Sequence, residues 1–273
     1  MTEFANHFHM HYATQAAQRG PGDGLTFDAR YRCAQLPLFA PEHPLALNQD
    51  PDGRYRDGRR SVSHSLVIRV DGHALAESAS LQELLREMQS SPLGDKIAWD
   101  MEARRRDVLH ATICGVIPHT PPEPIPEKER GDLSRIRSFR FRVQGLFTGS
   151  FNTGRIYLCL YPELRGGEPA TDAVGKAMGA GANRLLVCGY LNLLEELDAA
   201  EASLLDEYCR KSAAVIFDTQ DCVALSVFES FDDLVLDSRE VDRVELSEAE
   251  PPCEATESDR RSRSLIALDH IRK

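Results

Sequence analysis

One short apolar run constrains the fold of this chain more than any other stretch. Residues 108–117 read VLHATICGVI, and His110 and Thr112 are the two polar side chains in it. In a β-strand, side chains two residues apart share a face and their neighbours take the other. The run therefore predicts a buried strand with both polar side chains on one face and with Ala111 and Ile113 on the opposite face.

A second stretch of the chain resembles this strand. Residues 184–191, RLLVCGYL, share a Cys-Gly pair with residues 110–117, HATICGVI, and a predicted strand and helix precede each of them. Aligning the two pairs sets Arg184 against His110 and Leu186 against Thr112. The repeated order predicts an α+β fold, internally duplicated into two lobes, with antiparallel sheets flanking a central cleft.

Composition divides the chain into three parts. Residues 1–60 are rich in Pro, Gly, Asp and Arg and predict an N-terminal arm with surface loops. Residues 61–247 carry the periodic strands and helices and should form the duplicated domain. Residues 248–273 are charged and poor in large apolar groups, which predicts a disordered or loosely attached tail.

The overall charge limits the classes of partner. A formal net charge of −11 over 273 residues opposes binding to long nucleic acids, but it is compatible with a small phosphorylated ligand held by a few arginines. No apolar run is long enough to span a membrane, and we expect neither a signal peptide nor a membrane partner. The seven scattered cysteines form no CxxC pair, which favours a reducing cytoplasm. The oligomeric state stays open.

The His-x-Thr motif at residues 110–112, within one of two similar strand–helix–strand units, resembles the two-histidine (2H) phosphoesterases. This superfamily contains 2′-5′ RNA ligase-like proteins and cyclic phosphodiesterases, and the resemblance covers about residues 64–246. In the family, two such motifs face each other; one histidine activates the attacking hydroxyl or water and the other protonates the leaving oxygen. The resemblance implies metal-independent and cofactor-independent cleavage of a small cyclic or 2′,5′-type nucleotide or RNA-end phosphodiester.

The second motif departs from the family pattern. Arg184 and Leu186 stand where the resemblance implies histidine and threonine, and an arginine grips phosphate but does not transfer a proton at ordinary pH. The nearest other histidines in the sequence are His64, His73 and His119, none of them in a His-x-Thr pattern. Loss of one general acid or base costs about 10²–10⁴-fold in rate.

Three hypotheses therefore remain open. The first is a phosphodiesterase of altered activity whose acid–base chemistry is centred on His110. The second is a non-catalytic module that captures a phosphorylated nucleotide or metabolite in the same cleft. The third is a scaffold whose partners contact the N-terminal arm and the acidic tail, and it predicts no binding of small ligands.

The predicted site extends beyond the motif. The resemblance gives His110 the acid or base role and Thr112 a hydroxyl for a phosphate oxygen. The predicted substrate-binding residues are Ser150, Asn152, Arg155, Tyr157, Arg184 and Tyr190. The Gly-containing segment 145–158 can present donors to a phosphate or ribose, and Tyr157 shares a strand face with Arg155. The structural alternatives are a core-facing His110, a solvent-facing Arg184 and a simple hairpin at 145–158.

Other motifs predict little chemistry. His7, His9 and His11 alternate as a metal-binding strand would, but no carboxylate or cysteine follows at ligand spacing, so we expect an exposed arm and no metal site. The chain has no Walker-type loop, no GxGxxG and no GxSxG motif, which argues against nucleotide hydrolases of those designs.

Overall fold

The described part of the chain covers nearly all of the predicted domain. The computed structural model describes residues 2–20, 22–47, 55–56, 59–60, 63–116, 125–181, 183–230 and 238–248. His119 and nearly all of the predicted C-terminal tail lie outside these residues.

The described ranges contain short helices and a larger set of strands. The helices are α1 (Tyr12–Gln15), α2 (Ala29–Ala34), α3 (Leu36–Phe39), α4 (Gly72–Ala76), α5 (Ala79–Gln89), α6 (Asp100–Arg105), α7 (Glu127–Ser134), α8 (Thr171–Ala177) and α9 (Ala199–Ser212), with a 3-10 turn at Gly94–Lys96. The strands are β1 (Tyr55–Arg56), β2 (Arg59–Arg60), β3 (Ser63–Arg69), β4 (His110–Val116), β5 (Phe139–Thr148), β6 (Arg155–Pro162), β7 (Leu164–Arg165), β8 (Glu168–Pro169), β9 (Val187–Asn192), β10 (Ile216–Cys222), β11 (Ala224–Ser230) and β12 (Arg239–Glu245).

Eight of these strands form one antiparallel sheet. Their order is β10-β5-β6-β9-β4-β3-β11-β12. The two strands that carry a Cys-Gly pair, β4 and β9, lie side by side in the middle, where Ala111 is opposite Cys188. The fold is therefore α+β with a large antiparallel sheet, as the alternating patterns predict.

One face of the middle strands is buried in the core. Ala111 and Ile113 on β4, Ile156 on β6 and Cys188 on β9 have no solvent exposure. Helix α6 packs on β9 and α9 packs on β5, so helices cover parts of the sheet. Burial of these apolar side chains is the main driving force for assembling the sheet. The predicted orientation of Ala111 and Ile113 is confirmed.

The capping residues explain where two of the helices begin. Helix α9 starts at a capping box in which Asp198 accepts from the amide of Glu201 and the Glu201 side chain accepts from the amide of Asp198. Helix α5 starts after Ser78, and it buries Leu81, Leu84, Leu85 and Met88 at helical spacing. None of the helices in the described ranges combines the length and the apolar character needed to cross a bilayer.

The N-terminal segment packs into the protein, where the composition predicts an exposed arm. Tyr31 and Leu36 are fully buried. The Tyr31 ring lies against Gly154, just before β6, and its hydroxyl donates a hydrogen bond to the Leu193 carbonyl. The apolar residues that anchor this segment show neither helical nor strand periodicity. The prediction of an exposed arm therefore rested on the Pro and Gly content alone.

Gly154→Ala tests this anchoring. A Cβ at residue 154 would overlap the Tyr31 ring, which is fully buried. Overpacking of this kind costs about 1–3 kcal/mol, so we expect the midpoint of urea unfolding to fall. Gly115→Ala on β4 is the control, because a Cβ there meets no described atom within 4 Å. Equal stability of the two variants would contradict the packing of the N-terminal segment.

Candidate functional site

A cavity of about 270 Å³ lies over the middle of the sheet. Five neighbouring strands, β6, β9, β4, β3 and β11, contribute side chains to it, together with α2 and the segments before β6 and β9. The predicted site residues that line it are His110, Thr112, Asn152, Arg155 and Tyr157. Residues far apart in sequence thus meet in one place.

Strand alternation explains why these residues meet. On β4 the two polar residues face the cavity while Ala111 enters the core, and on β6 Arg155 and Tyr157 face it while Ile156 is buried. The alternation of side chains that is visible in the sequence therefore places these polar residues in the cavity wall.

Arg184 does not line the cavity, contrary to the prediction. The residues on either side of it, Asn183 and Leu185, do line it, so Arg184 points the other way. Its Nη2 donates to Glu168 at 2.8 Å and to Asp172 at 2.5 Å. The guanidinium is therefore neutralised by two carboxylates, and it does not face His110.

Two further predictions are corrected. Tyr190 is 1% exposed and lies on the core side of β9, because its neighbour Gly189 is the residue that faces the cavity. Ser150 is exposed and outside the cavity, and its amide donates to the carbonyl of Gln15 at 3.0 Å. The sequence patterns did not predict where the N-terminal segment packs. This segment holds the loop that carries Ser150.

A hydrogen bond fixes the tautomer of His110. The imidazole Nδ1 lies 3.0 Å from the backbone carbonyl of Val108. A carbonyl oxygen only accepts, so Nδ1 carries the proton and the lone pair is on Nε2. Phe228 packs edge-on against the imidazole, with ring centroids 4.8 Å apart at 72°. The ring is thus held in one orientation with Nε2 as a proton acceptor.

The surroundings of His110 keep it neutral. Burial lowers its pKa from 6.5 to about 4, and the cationic Arg155 and Arg69 act in the same direction. The bond to the Val108 carbonyl opposes the shift but does not offset it. At neutral pH the imidazole is uncharged and can accept a proton.

Arg155 lies flat over the middle of the sheet because residue 189 is glycine. A Cβ at Gly189 would overlap the Nη2, Nε and Cζ atoms of the Arg155 guanidinium. The Cζ atom also lies 5.2 Å from the centroid of the Tyr157 ring. The glycine of the second Cys-Gly pair, Gly189, therefore provides the space for the Arg155 guanidinium next to His110.

Two guanidinium groups line the cavity although the chain is acidic overall. Arg30 and Arg155 line it, and none of the described lining residues is a carboxylate. Arg105 is fully buried in the core, where the Tyr190 carbonyl and the Asn192 amide oxygen accept from its guanidinium. Burial and then the nearby Arg155 lower the pKa of Arg105 to about 9. Such an arrangement favours an anionic ligand.

Asn152 lines the cavity and carries a buried hydrogen-bond acceptor. Its backbone has a positive φ of 49°, a conformation that asparagine tolerates, and its carbonyl accepts the Arg155 amide at 2.8 Å. Its side-chain Oδ1 is buried and has no hydrogen-bond partner among the described residues. A buried acceptor without a partner is costly, so a ligand hydroxyl there would be favourable.

No second histidine lines the cavity within the described ranges. His64 bonds to Glu229 on β11 at 3.1 Å, and His73 bonds to the exposed Asp107 at 2.9 Å. In the part of the chain that the structure describes, no group of three or more His, Cys, Asp or Glu side chains is placed to hold a metal ion.

The sequence interpretation missed several lining residues. They are Arg30, Ser63, Ser65, Phe151, Asn183, Leu185, Val187, Gly189 and Ser230. Ser63 and Ser65 alternate within the run SVSHS, a signal that could have placed them on one face of β3. Arg30 carries no local signal, because the fold of the N-terminal segment brings it to the cavity.

His110→Asn tests the neutral state of the imidazole. The folded-state pKa of about 4 lies below the ordinary histidine value of 6.5, so between these pH values the unfolded chain binds a proton that the folded chain does not. The resulting contribution to the free energy of unfolding is complete above pH 6.5 and is lost as the pH falls to about 4. As the pH falls from 6.5 to about 4, we expect the free energy of unfolding of His110→Asn, measured in urea, to fall less steeply than that of the wild type.

Thr112→Ser provides the control for this measurement. It changes a neighbouring lining residue without removing a titrating group, so it should keep the wild-type slope. If His110→Asn also kept that slope, the neutral state of His110 would be contradicted.

The site thus combines a neutral imidazole, two guanidinium groups and several hydroxyls around one small cavity. No protein-family model matches the chain, and a search of curated proteins finds no match. Its function is therefore inferred from the chemistry of this cavity.

Proposed function

We propose that the cavity binds a small phosphoester and that His110 accepts a proton during its cleavage. The substrate class is a cyclic or 2′,5′-type nucleotide or an RNA-end phosphodiester. One observation carries the proposal: an imidazole in its Nδ1–H form lines a cavity that holds two arginines and, among the described residues, no carboxylate. A neutral imidazole can activate a hydroxyl or water, and guanidinium groups bind phosphate.

The size of the cavity supports a small ligand. Its volume of about 270 Å³ is close to the lower end of the range for ligand pockets, about 300–1,000 Å³. A nucleotide or the end of an RNA chain fits this space, with any further nucleotides in solvent. The net charge of −11 agrees with a ligand that makes only a few phosphate contacts.

Each lining group has a role in this proposal. Arg155 and Arg30 bind phosphate oxygens, Thr112 donates its hydroxyl to another, and Asn152 Oδ1 accepts from a ribose hydroxyl. The negative charge of the bound phosphate raises the pKa of His110 from its low value in the free protein. The substrate therefore strengthens the base that acts on it.

The strand order supports the resemblance to 2H phosphoesterases. Between β9 and β4 the sheet divides into two sets of four, β10-β5-β6-β9 and β4-β3-β11-β12. We assign these sets to the two lobes of a duplicated fold with the cavity as the central cleft. Because Ala111 is opposite Cys188, β9 faces the cavity with Val187 and Gly189 and supplies no His-x-Thr pair.

Capture of a phosphorylated nucleotide or metabolite without turnover is the second candidate. One observation favours it: among the described lining residues His110 is the single imidazole. The two candidates share the ligand chemistry and differ in whether a bond is broken.

Cleavage assays separate the two candidates. Wild-type protein should hydrolyse 2′,3′-cyclic nucleotides or 2′,5′-linked dinucleotides, and His110→Asn should lower kcat/KM by about 10²–10⁴-fold. Because kcat/KM reports the free enzyme, its value should fall as pH drops through about 4, where His110 becomes charged. Binding without turnover would favour the capture module, and absence of both would contradict the proposal.

Gly189→Ala tests the anion-binding half of the proposal. The added methyl group would overlap the Arg155 guanidinium and displace it from the cavity floor. We expect weaker binding of inorganic phosphate, measured by calorimetry, because one charge-assisted contact is lost. Gly115→Ala, on the neighbouring strand and outside the cavity lining, is the matched control. Equal phosphate affinity of both variants would argue against Arg155 as the phosphate ligand.

A further inference from the structure

Cleavage of a phosphodiester needs a group that protonates the leaving oxygen, and His110 supplies only the proton acceptor. We propose that Tyr157 is the general acid that takes the place of the second histidine. This inference rests on the proposed function and names a further catalytic residue for it.

The register of three strands sets Tyr157 across the cavity floor from His110. Tyr157 is opposite Gly189 on β9, and Ala111 is opposite Cys188, so His110 is next to Gly189 on the other side. Two strand spacings separate the Cα atoms of Tyr157 and His110 by about 10 Å. The Arg155 guanidinium lies over Gly189 in this gap, so a phosphate held by Arg155 would have a proton-transfer group on each side.

The Tyr157 ring is held in place by its neighbours. Its centroid lies 6.1 Å from that of Phe147 and 6.5 Å from that of Phe151, and the residue is 4% exposed. The Arg155 guanidinium lies 5.2 Å from the ring centroid. A cation at this distance stabilises the phenolate that forms when the hydroxyl gives up its proton.

Other protic groups suit the role less well. The hydroxyls of Ser63, Ser65, Thr112 and Ser230 line the cavity, but serine and threonine are not among the usual general acids, whereas tyrosine is. The Tyr190 hydroxyl is on the core side of β9.

The proposed step balances as follows. His110 Nε2 takes the proton of the attacking water or ribose hydroxyl, whose oxygen forms a bond to phosphorus. The bond from phosphorus to the leaving oxygen breaks, and the Tyr157 hydroxyl gives its proton to that oxygen. The imidazolium then returns its proton to solvent, and the phenolate takes one from solvent.

The test varies the leaving group of the substrate. Two esters of uridine 3′-phosphate are compared, one with methanol and one with p-nitrophenol as the leaving group. Methoxide needs a proton to leave and p-nitrophenolate does not. Tyr157→Phe, which keeps the ring, should lower kcat on the methyl ester by about 10²–10⁴-fold and leave the p-nitrophenyl ester nearly unaffected.

Two variants complete the comparison. His110→Asn should lose activity on both esters, because both reactions need the base. Tyr190→Phe removes a hydroxyl that has no hydrogen-bond partner among the described residues and that lies outside the cavity, so it should match the wild type. Thermal melting of each variant establishes that it is folded.

The outcomes separate this inference from the proposed function. If the wild type cleaves neither these esters nor the 2′,3′-cyclic and 2′,5′-linked substrates, the proposed cleavage is contradicted. If it cleaves only the cyclic or 2′,5′-linked substrates, whose ribose leaving groups also need a proton, Tyr157→Phe should lower kcat on them, and an unchanged kcat would rule out Tyr157 as the general acid. If the wild type cleaves both and Tyr157→Phe equals it, or loses the same factor on both esters, then Tyr157 is not the general acid. Selective loss on the methyl ester is the result that we expect.

Discussion

Side-chain alternation along the middle strands of the sheet decides which residues reach the cavity and which enter the core. The face with Ala111, Ile156 and Cys188 is excluded from water, so the strands cannot rotate without exposing apolar surface. That constraint fixes His110 and Tyr157 on the opposite face. The chemistry of the site is thus a consequence of the burial that stabilises the fold.

The same alternation shows what a sequence can and cannot predict here. The strand around His110 and the pair Arg155 and Tyr157 were predicted, because their pattern is local. Arg184 was placed wrongly, because aligning the two Cys-Gly pairs assumes the same alternation in both strands, whereas β4 has a register shift between Thr112 and Cys114. The approach of Arg30 to the cavity depends on how the N-terminal segment folds back, and a local pattern does not contain that tertiary contact.

Electrostatics links the buried part of the protein to the cavity. An anion bound beside guanidinium groups and a neutral imidazole makes charge-assisted contacts with the cations and favours protonation of the imidazole. Gly189 makes this possible by letting Arg155 lie on the sheet beside His110. Arg105 adds a further positive charge beneath the cavity, held by neutral oxygen atoms in the core. The acidic remainder of the chain discourages larger polyanions.

The protonation state of His110 is the central claim, and ¹⁵N NMR of its ring nitrogens measures that state directly. At neutral pH we predict an uncharged ring with the proton on Nδ1 and a lone pair on Nε2. Addition of inorganic phosphate should then shift the Nε2 signal towards the protonated form. A charged ring, or a proton on Nε2, in the free protein would contradict the account.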